Sequence, residues 1–295
     1  MATPPAGKTS KARWALLRRA IVTASTPAPA SSAMSIFQFH DPAVPRPTVY
    51  AGATPDVGYD WVEYTLPSGG ASILLHQRRE TAHVSLHELA IRDVDNTGNI
   101  RTWPSEDIAL RYLLRTLPSR TGGPARVLEL GAGMCGVAGF ALAAACASDV
   151  VASVTITDGN QMCVENLTRI ASMNRSRLGR PVETALLQWS RHLSPPSSPL
   201  FDVIVASDCV FFEAYHDDLL HTLRTLLAVD GVATFVQPTR GGSLDRFLAK
   251  ATALFTVEVQ TSGFDAIVDA TRAAADARLD PDIHLPVLVT LRHRR

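Results

Sequence analysis

Three glycines stand at a spacing that suits a ligand-binding loop. Residues 127–136 read VLELGAGMCG, which places Gly131, Gly133 and Gly136 between a predicted strand and a predicted helix. Glycine lets the backbone turn tightly and approach a ligand, and free N–H groups at a helix N-terminus attract electron-rich oxygen atoms. The same spacing fits a dinucleotide-binding loop, with Asp158 as the acid that binds the ribose. Glycines that serve the turn alone, without a ligand, are a further alternative.

Glu129, in the strand before the loop, bears on the choice between these ligands. Its carboxylate is expected where the pyrophosphate of a dinucleotide would approach, and like charges repel in such a site. S-adenosylmethionine instead carries a sulfonium and an amino group at its methionine end, and an acidic strand end attracts both. The sequence therefore favours an S-adenosylmethionine-dependent methyltransferase over a nicotinamide enzyme.

Further candidate residues stand where the following strands are predicted to end. Asp158 ends the second strand and would accept hydrogen bonds from ribose hydroxyls, and Trp189 ends the third and would either flank adenine or simply pack in the core. The fourth strand ends in Ser207 and Asp208. We predict that Ser207 is one of the cofactor-binding residues. Ligands of doubly wound sheets bind outside the carboxyl ends of the strands. We therefore expect Asp208 where methyl donor and acceptor meet, with a buried polar network as the alternative.

Short β-branched runs alternate with helical patterns from residue 126 onward. This alternation predicts βαβ units, and hence an α/β fold with a Rossmann-like, seven-stranded, mostly parallel, doubly wound sheet and helices on both faces. The runs 255–261 and 286–293 are expected to close the sheet as its last two strands.

A smaller layer is predicted in front of this sheet. Residues 60–77 alternate apolar and polar side chains around Ser68-Gly69-Gly70, which predicts a β-hairpin. A turn at residues 96–98 and a helix that begins near Pro104 are expected to follow. We divide the chain into three parts: a basic, largely disordered tail with a short helix at 13–22, a β-rich extension, and the methyltransferase domain, at residues 1–40, 41–100 and 101–295.

The charge balance argues against nucleic acid or membrane as partners. The chain has 28 basic and 28 acidic residues and a net charge of +0, so it has no global basic field. Its apolar stretches are shorter than the roughly 20 residues that a membrane-spanning helix needs. We expect a monomer in the cytoplasm, with the nucleus as a second compartment. The acid-free segment 1–40 also suits an organellar transit peptide.

Neither the cysteines nor the histidines indicate a metal site. The four cysteines contain no CxxC pair and are interpreted as reduced thiols. No HExxH or related spacing joins the histidines to carboxylates. We interpret as ordinary hydrogen-bonded side chains the residues His76, His83, His87, His216, His221 and His284.

Five segments carry a resemblance to a known family. They read DNTGNIRTWPSED, LELGAGM, TDGN, LQW and SDCVFF. Together they resemble the calmodulin-lysine N-methyltransferases, which belong to the seven-β-strand, class I protein methyltransferases. LELGAGM is common to many methyltransferases, whereas DNTGNIRTWPSED is far more specific. The resemblance extends over nearly the whole chain, from residue 13 to residue 293.

The resemblance implies both a reaction and a set of roles. Family members transfer methyl groups from S-adenosylmethionine to one lysine of calmodulin and produce trimethyl-lysine. Carried over residue by residue, the cofactor would be bound by Trp103, Glu129, Gly131, Gly133, Asp158 and Trp189. Asp208 and Phe211 would form the family's acid-x-x-aromatic motif beside the acceptor lysine. Core packing is the alternative role for the aromatic residues.

The choice of substrate leaves alternatives open. Calmodulin is strongly acidic, so a basic contact patch is expected, and Arg240 is one candidate for it. A solvated charged face explains such arginines equally well. The other hypotheses are a related lysine methyltransferase that acts on a chaperone or translation factor, a small-molecule methyltransferase, and a cofactor-binding scaffold without turnover.

Overall fold

A computed structural model describes most of the chain beyond its first 38 residues. The described residues are 39–54, 56–67, 69–79, 102–197, 200–274, 276–277 and 279–294. The helix predicted at 13–22 and the turn predicted at 96–98 lie outside them. The division of the chain at residues 40 and 100 stays a prediction.

The hairpin predicted before the main sheet is confirmed. Strand β2 (Tyr59–Thr65) pairs antiparallel with β3 (Ser72–Arg78), and the short β1 (Thr48–Val49) pairs with the other edge of β2. Gly69 and Gly70 in the turn have φ values of 71° and 77°, which side chains with a Cβ rarely adopt. The three strands form a sheet of their own.

The main sheet has seven strands in the order β6-β5-β4-β7-β8-β10-β9. The first five in that order run parallel, and β10 is antiparallel to both β8 and β9. This confirms the predicted fold class, including the closure by the last two strands. The bounds are β4 (Ala125–Leu130), β5 (Val151–Asp158), β6 (Val182–Leu186), β7 (Phe201–Ser207), β8 (Leu227–Gln237), β9 (Phe255–Gln260) and β10 (Val287–His293).

Helices cover both faces of this sheet. They are α1 (Pro104–Thr116), α2 (Val137–Ala145), α3 (Gln161–Met173), α4 (His216–Leu226), α5 (Ser243–Ala251), α6 (Ala266–Ala273) and α7 (Pro281–His284). Successive side chains of a strand point to opposite faces. Val127 of β4 accordingly packs in the cluster that contains Phe140 of α2, whereas Leu128 packs in the cluster that contains Leu223 of α4 and Phe247 of α5.

A buried asparagine attaches the small sheet to the main domain. Asn174, directly after α3, accepts a hydrogen bond from the N–H of Leu74 at 2.7 Å and donates one to the carbonyl of Leu74 at 2.6 Å. The side chain thus pairs with strand β3 as a neighbouring strand would. Because both backbone groups of Leu74 are buried there, this pairing satisfies polar atoms that would otherwise be costly.

One strand end differs from the prediction. The third strand of the main sheet, β6, ends at Leu186 and not at Trp189. The run of residues 187–189 continues as a loop, and the N–H of Leu187 still donates to the carbonyl of Asp158 at 3.0 Å. Strand β6 is the edge of the sheet, and in the part of the chain that the structure describes no strand pairs with its outer side.

Candidate active site

The glycine loop between β4 and α2 adopts the backbone that its composition predicts. Gly131, Gly133 and Gly136 have φ values of 63°, 60° and 54°. A Cβ on Gly131 would lie 2.8 Å from the sulfur of Cys209 and 3.2 Å from the ring of Trp189, so this position has room only for glycine. A Cβ on Gly133 would meet no atom of the described residues within 4 Å. The loop is therefore packed at Gly131 and open at Gly133.

Glu129 is buried beneath this loop, at 2% exposure. Its carboxylate accepts a hydrogen bond from the N–H of Gly139 in α2 at 2.8 Å, and burial raises its pKa to about 8. A Cβ on Gly139 would lie 2.6 Å from the same carboxylate oxygen. Gly139 thus makes space for the acid. A role for this glycine was not predicted, although a glycine in the first turn of an alanine-rich helix indicates a close approach.

A second buried acid, Glu106, was also missed. Its carboxylate accepts hydrogen bonds from the N–H of Trp103 at 2.8 Å and from the N–H of Val137 at 3.4 Å, so it caps α1 and also touches the start of α2. Burial raises its pKa well above the usual range, and the nearby Glu129 raises it further. A glutamate at the third position of a predicted helix is half of a capping-box signal, because its side chain can reach back to the N-cap N–H, and it could have indicated this residue.

Asp158 stands at the end of β5, opposite the glycine loop. It accepts hydrogen bonds from the N–H of Gly133 and the N–H of Asn160, both at 2.8 Å. Burial raises the pKa of this carboxyl. The N–H of Gly159 and the thiol of Cys163 also stabilise its charged form. The residue is therefore placed to accept hydrogen bonds from a ligand that lies across Gly133.

Glu106, Glu129 and Asp158 together form the acid cluster. The thiol of Cys209 lies among these carboxylates: burial raises its pKa, and the charges of Asp208, Asp158, Glu129 and Glu106 add to that rise. None of the ion pairs within the described ranges involves a member of the acid cluster. Buried carboxylates without a cation provide a site for a positively charged ligand.

Asp208, in contrast, has a cation of its own. Nε of Arg240 donates to one carboxylate oxygen at 3.1 Å, and Nη2 of Arg240 donates to the other in a short hydrogen bond. The guanidinium also lies over the ring of Trp103, 5.6 Å from its centroid. The side chains of Asp208 and Arg240 are 5% and 18% exposed. The expectation that Arg240 belongs to an exposed contact patch is therefore wrong, because its charge is bound internally.

The remaining predicted residues lie around these groups. Trp189 borders Gly131 from the loop beyond β6, and not from the strand itself. The hydroxyl oxygen of Ser207 is buried and has no hydrogen-bond partner among the described residues. The ring of Phe211 packs on that of Phe212 at 4.0 Å between centroids. The structure thus brings Trp103, Asp208 and the glycine loop together, and it places Phe211 in a neighbouring aromatic pair.

Of the six histidines interpreted from the sequence, the four within the described residues, His76, His216, His221 and His284, are hydrogen-bonded. Nδ1 of His76 lies 2.5 Å from Oδ1 of Asn166, Nε2 of His216 lies 2.8 Å from the carbonyl of Val210, and Nε2 of His221 lies 3.0 Å from that of Leu193. Across the residues that the structure describes, no three His, Cys, Asp or Glu side chains are grouped as metal ligands. No helix in this part of the chain is long and apolar enough to cross a bilayer.

Comparisons with known proteins identify the family. A family model described as lysine methyltransferase matches residues 85–253. The chain is 33% identical over 276 residues to calmodulin-lysine N-methyltransferase of Arabidopsis thaliana, which covers 90% of this chain and 88% of that protein. The chain belongs to the lysine methyltransferase family. It is an S-adenosylmethionine-dependent protein-lysine methyltransferase.

Solved structures of other methyltransferases also match the chain. The T. thermophilus 16S rRNA N2 G1207 methyltransferase, in complex with S-adenosylmethionine and guanosine, has a TM-score of 0.49 and 14% identity, over 83% of this chain and 53% of that chain. The ribosomal protein L11 methylase of Lactobacillus delbrueckii subsp. bulgaricus has a TM-score of 0.41 and 16% identity, over 64% and 80% of the two chains.

Three observations on this methyltransferase fit its methyl donor. The space beside Gly133 is open, so a ligand can approach the loop backbone there. When its carboxyl groups release their protons, the acid cluster can compensate the positive charge of the amino group and the sulfonium. The unsatisfied hydroxyl of Ser207, at the end of β7, offers a further hydrogen bond. These residues are therefore suited to hold S-adenosylmethionine.

Proposed function

We propose that this methyltransferase trimethylates a lysine of calmodulin. The observation that carries the proposal is the similarity to the Arabidopsis calmodulin-lysine N-methyltransferase, which covers 90% of this chain and 88% of that protein. A match that includes the segments before and after the cofactor-binding core supports a shared substrate more strongly than a match to the core alone. We further propose a monomer in the cytoplasm and the nucleus, with neither nucleic acid nor membrane as partner.

The proposed cofactor contacts follow from the geometry of the loop. Glu129 would hold the amino group of the methionine end, while Gly131 and Gly133 would let the loop backbone approach it. Asp158 would accept hydrogen bonds from the ribose hydroxyls. We assign the adenine side to Trp189, and Ser207 and Trp103 complete the set. Roles at Gly131 and Gly133 are supported by the left-handed backbone that both residues adopt.

When bound, S-adenosylmethionine supplies an electrophilic methyl group on a sulfonium. The protein must then present a neutral lysine amine in line with that methyl, and free lysine has a pKa near 10.4. Desolvation of the amine beside Phe211 would lower that pKa, and alignment of the reacting atoms lowers the barrier. Asp208, which already accepts two hydrogen bonds from Arg240, would orient the amine or a water and not serve as a strong base.

The decisive experiment is mass spectrometry of unmethylated recombinant calmodulin after incubation with this protein and S-adenosylmethionine. We expect the addition of up to three methyl groups to one lysine. Asp158→Ala, which removes the acceptor beside Gly133, should abolish the gain, whereas Asp245→Ala on an exposed turn of α5 should leave it unchanged. Modification in neither the wild type nor the control would contradict the choice of calmodulin.

A related client protein is the second candidate. The family match extends to the reaction and not to the substrate, since its description is lysine methyltransferase alone. Incubation with labelled S-adenosylmethionine and a cell lysate separates the possibilities by the size of the labelled band. A chaperone or a translation factor in place of calmodulin would retain the reaction and replace the partner.

A further inference from the structure

Asp208 and Arg240 share an unusual backbone conformation. Their φ values of 54° and 53° are the only left-handed ones among the described residues that are not glycine. That region is unfavourable for side chains with a Cβ, and such strain persists where the surrounding structure holds the residue in place. The two strained residues are partners in one ion pair. The strain therefore marks the pair as a feature that the fold maintains.

Hydrogen bonds from separate elements hold the two backbones. The N–H of Asp208 donates to the carbonyl of Val236 in β8 at 3.0 Å, and the N–H of Arg240 donates to the carbonyl of Asp282 in α7 at 2.9 Å. The carboxylate of Asp282 also accepts from the hydroxyl of Thr239 at 2.6 Å and from the N–H of Gly241 at 2.8 Å. Residues on both sides of Arg240 are thus hydrogen-bonded to α7, and these bonds fix the backbone that carries the guanidinium.

The pair stands beside the proposed site of methyl transfer. Asp208 directly follows β7, the neighbour of β4, and the sulfur of Cys209 lies 4.0 Å from the carbonyl of Gly131. The guanidinium of Arg240 lies over Trp103, whose backbone N–H is bound by Glu106 of the acid cluster. The ion pair therefore borders the glycine loop on the side opposite Asp158.

The charge of this pair matters because the nucleophile is an amine. A carboxylate without a partner favours the protonated form of a nearby amine and so opposes methyl transfer. Among the described residues, the thiol of Cys209 lies near Asp208, and the ring of Trp103 and the imidazole of His284 lie near Arg240. The carboxylate of Asp282 binds the residues on either side of Arg240. Burial lowers the pKa of His284, and the charge of Arg240 lowers it further, so this imidazole adds no positive charge at neutral pH.

We propose that Arg240 is a positioning residue that cancels the charge of Asp208, so that the acceptor lysine reaches the methyl donor as a neutral amine. Asp208 then orients the amine through its remaining lone pairs without holding its proton. The proposal rests on the proposed function for its protein substrate. Its first test uses only the cofactor site and does not depend on calmodulin.

The test compares two ligands that differ in charge near the transferred methyl. Sinefungin carries a protonatable amine there, and S-adenosylhomocysteine carries a neutral sulfur. Isothermal titration at neutral pH gives the ratio of their affinities. In Arg240→Gln we expect this ratio to shift about tenfold in favour of sinefungin, which corresponds to one unit in the pKa of an amine. Arg240→Lys, which keeps the charge, should shift it far less.

Two further variants decide how Arg240 acts. Arg246→Gln removes a matched arginine whose guanidinium binds Glu213 at 2.8 Å and 2.5 Å on the exposed face of α5, and it should leave the ratio unchanged. The double variant Asp208→Asn with Arg240→Gln removes both charges and should restore the ratio to nearly the wild-type value. An unchanged ratio in Arg240→Gln, or a double variant that behaves like Arg240→Gln, would overturn the proposal.

The kinetic arm separates this proposal from the choice of substrate. With calmodulin as substrate, the acidic limb of the rate profile should move about one pH unit upward in Arg240→Gln, with recovery of kcat at alkaline pH. A merely structural role would lower the rate equally at every pH, and a docking role would raise KM alone; either result contradicts the proposal. If wild-type protein does not methylate calmodulin, the proposed substrate fails, and the ligand-affinity ratio still decides the role of Arg240.

Discussion

The acid cluster and the Asp208–Arg240 pair are neighbours with opposite charge balance. Glu129 and Asp158 are buried and bound by backbone N–H groups, and burial raises the pKa of both. Asp208 is buried as deeply, yet both of its oxygens bind a guanidinium. The carboxylate of Asp208 thus has a cation as a partner, whereas equally buried carboxyl groups of the acid cluster have none among the described residues.

With the roles proposed above, this difference matches the charges that the reaction would bring to each place. The methionine end of S-adenosylmethionine is cationic and can compensate the acid cluster itself when it binds. The acceptor amine must be neutral when it attacks, so a compensated carboxylate suits its side. Under the proposed assignment, charge balance therefore distinguishes a donor side from an acceptor side at the ends of β4, β5 and β7, which carry Glu129, Asp158 and Asp208.

The largest expected effect is on stability, and it concerns the space at the glycine loop and not the charge balance of the two acidic regions. Gly131→Ala combines a left-handed backbone with a 2.8 Å approach to Cys209, and should cost roughly 3 kcal/mol of unfolding free energy. Gly263→Ala, with φ 77° and open surroundings, should cost about 1 to 2 kcal/mol from the backbone alone. Urea unfolding measures both.

Gly133→Ala completes that series. Its stability should match that of Gly263→Ala, because a Cβ there meets no atom of the described residues within 4 Å. Its affinity for S-adenosylhomocysteine should nevertheless fall at least about tenfold, since the methyl group occupies space that the ligand needs. Equal ligand affinity in Gly133→Ala and Gly263→Ala would show that the opening beside Gly133 is not part of the cofactor site.

The second effect compares a buried with an exposed ion pair. Arg240→Gln leaves the carboxylate of Asp208, whose side chain is 5% exposed, without its cation and should cost about 2 kcal/mol of stability. Arg246→Gln breaks a pair whose side chains are 50% and 35% exposed and should cost less than about 1 kcal/mol. Denaturant titrations that gave both variants the same loss would remove the distinction between the two pairs.

The smallest effect concerns the pH dependence of cofactor binding. Below its pKa of about 8, Glu129 must lose a proton when it binds a cation, so the affinity for S-adenosylmethionine should rise with pH. Release of one proton raises the affinity about tenfold per pH unit. This slope is best measured below about pH 7.5, where the amino group of the ligand keeps its charge. Glu129→Gln should bind more weakly at pH 7.5 and lose most of this slope.

The control for this titration is Glu258→Gln, on an exposed position of β9, which should keep the full slope of affinity against pH.

The raised pKa of Glu129 also makes a prediction for the stability of the protein without ligand. Folding raises the pKa of Glu129 from its ordinary value of 4.5. The folded protein therefore binds the proton of this carboxyl more tightly than the unfolded chain does. The contribution of Glu129 to stability is thus present at low pH and is lost as the pH rises to about 8. An equal pH slope in Glu129→Gln would assign the titration to Asp158 or Glu106.

Much of the fold could be predicted because its signals are local. Alternating strand and helix patterns gave the seven strands, and the paired glycines at 69 and 70 gave the hairpin turn. The glycine loop was predictable for the same reason, since its backbone requirement falls on three residues within six positions. The end of β6 was mispredicted because a strand-like alternation of apolar and polar residues continues through Gln188 to Trp189, whereas within the described residues no strand pairs with the outer side of β6.

The sequence by itself determined which residue types stand at which strand ends, and hence the reaction class. Only the tertiary structure decided which of those acids has a cation. Arg240 lies 32 residues from Asp208, and Glu106 reaches a helix that begins 31 residues later. Such pairs depend on which strands are neighbours and on where a loop is anchored, and no periodicity of the chain encodes the distance between two side chains that meet across a sheet.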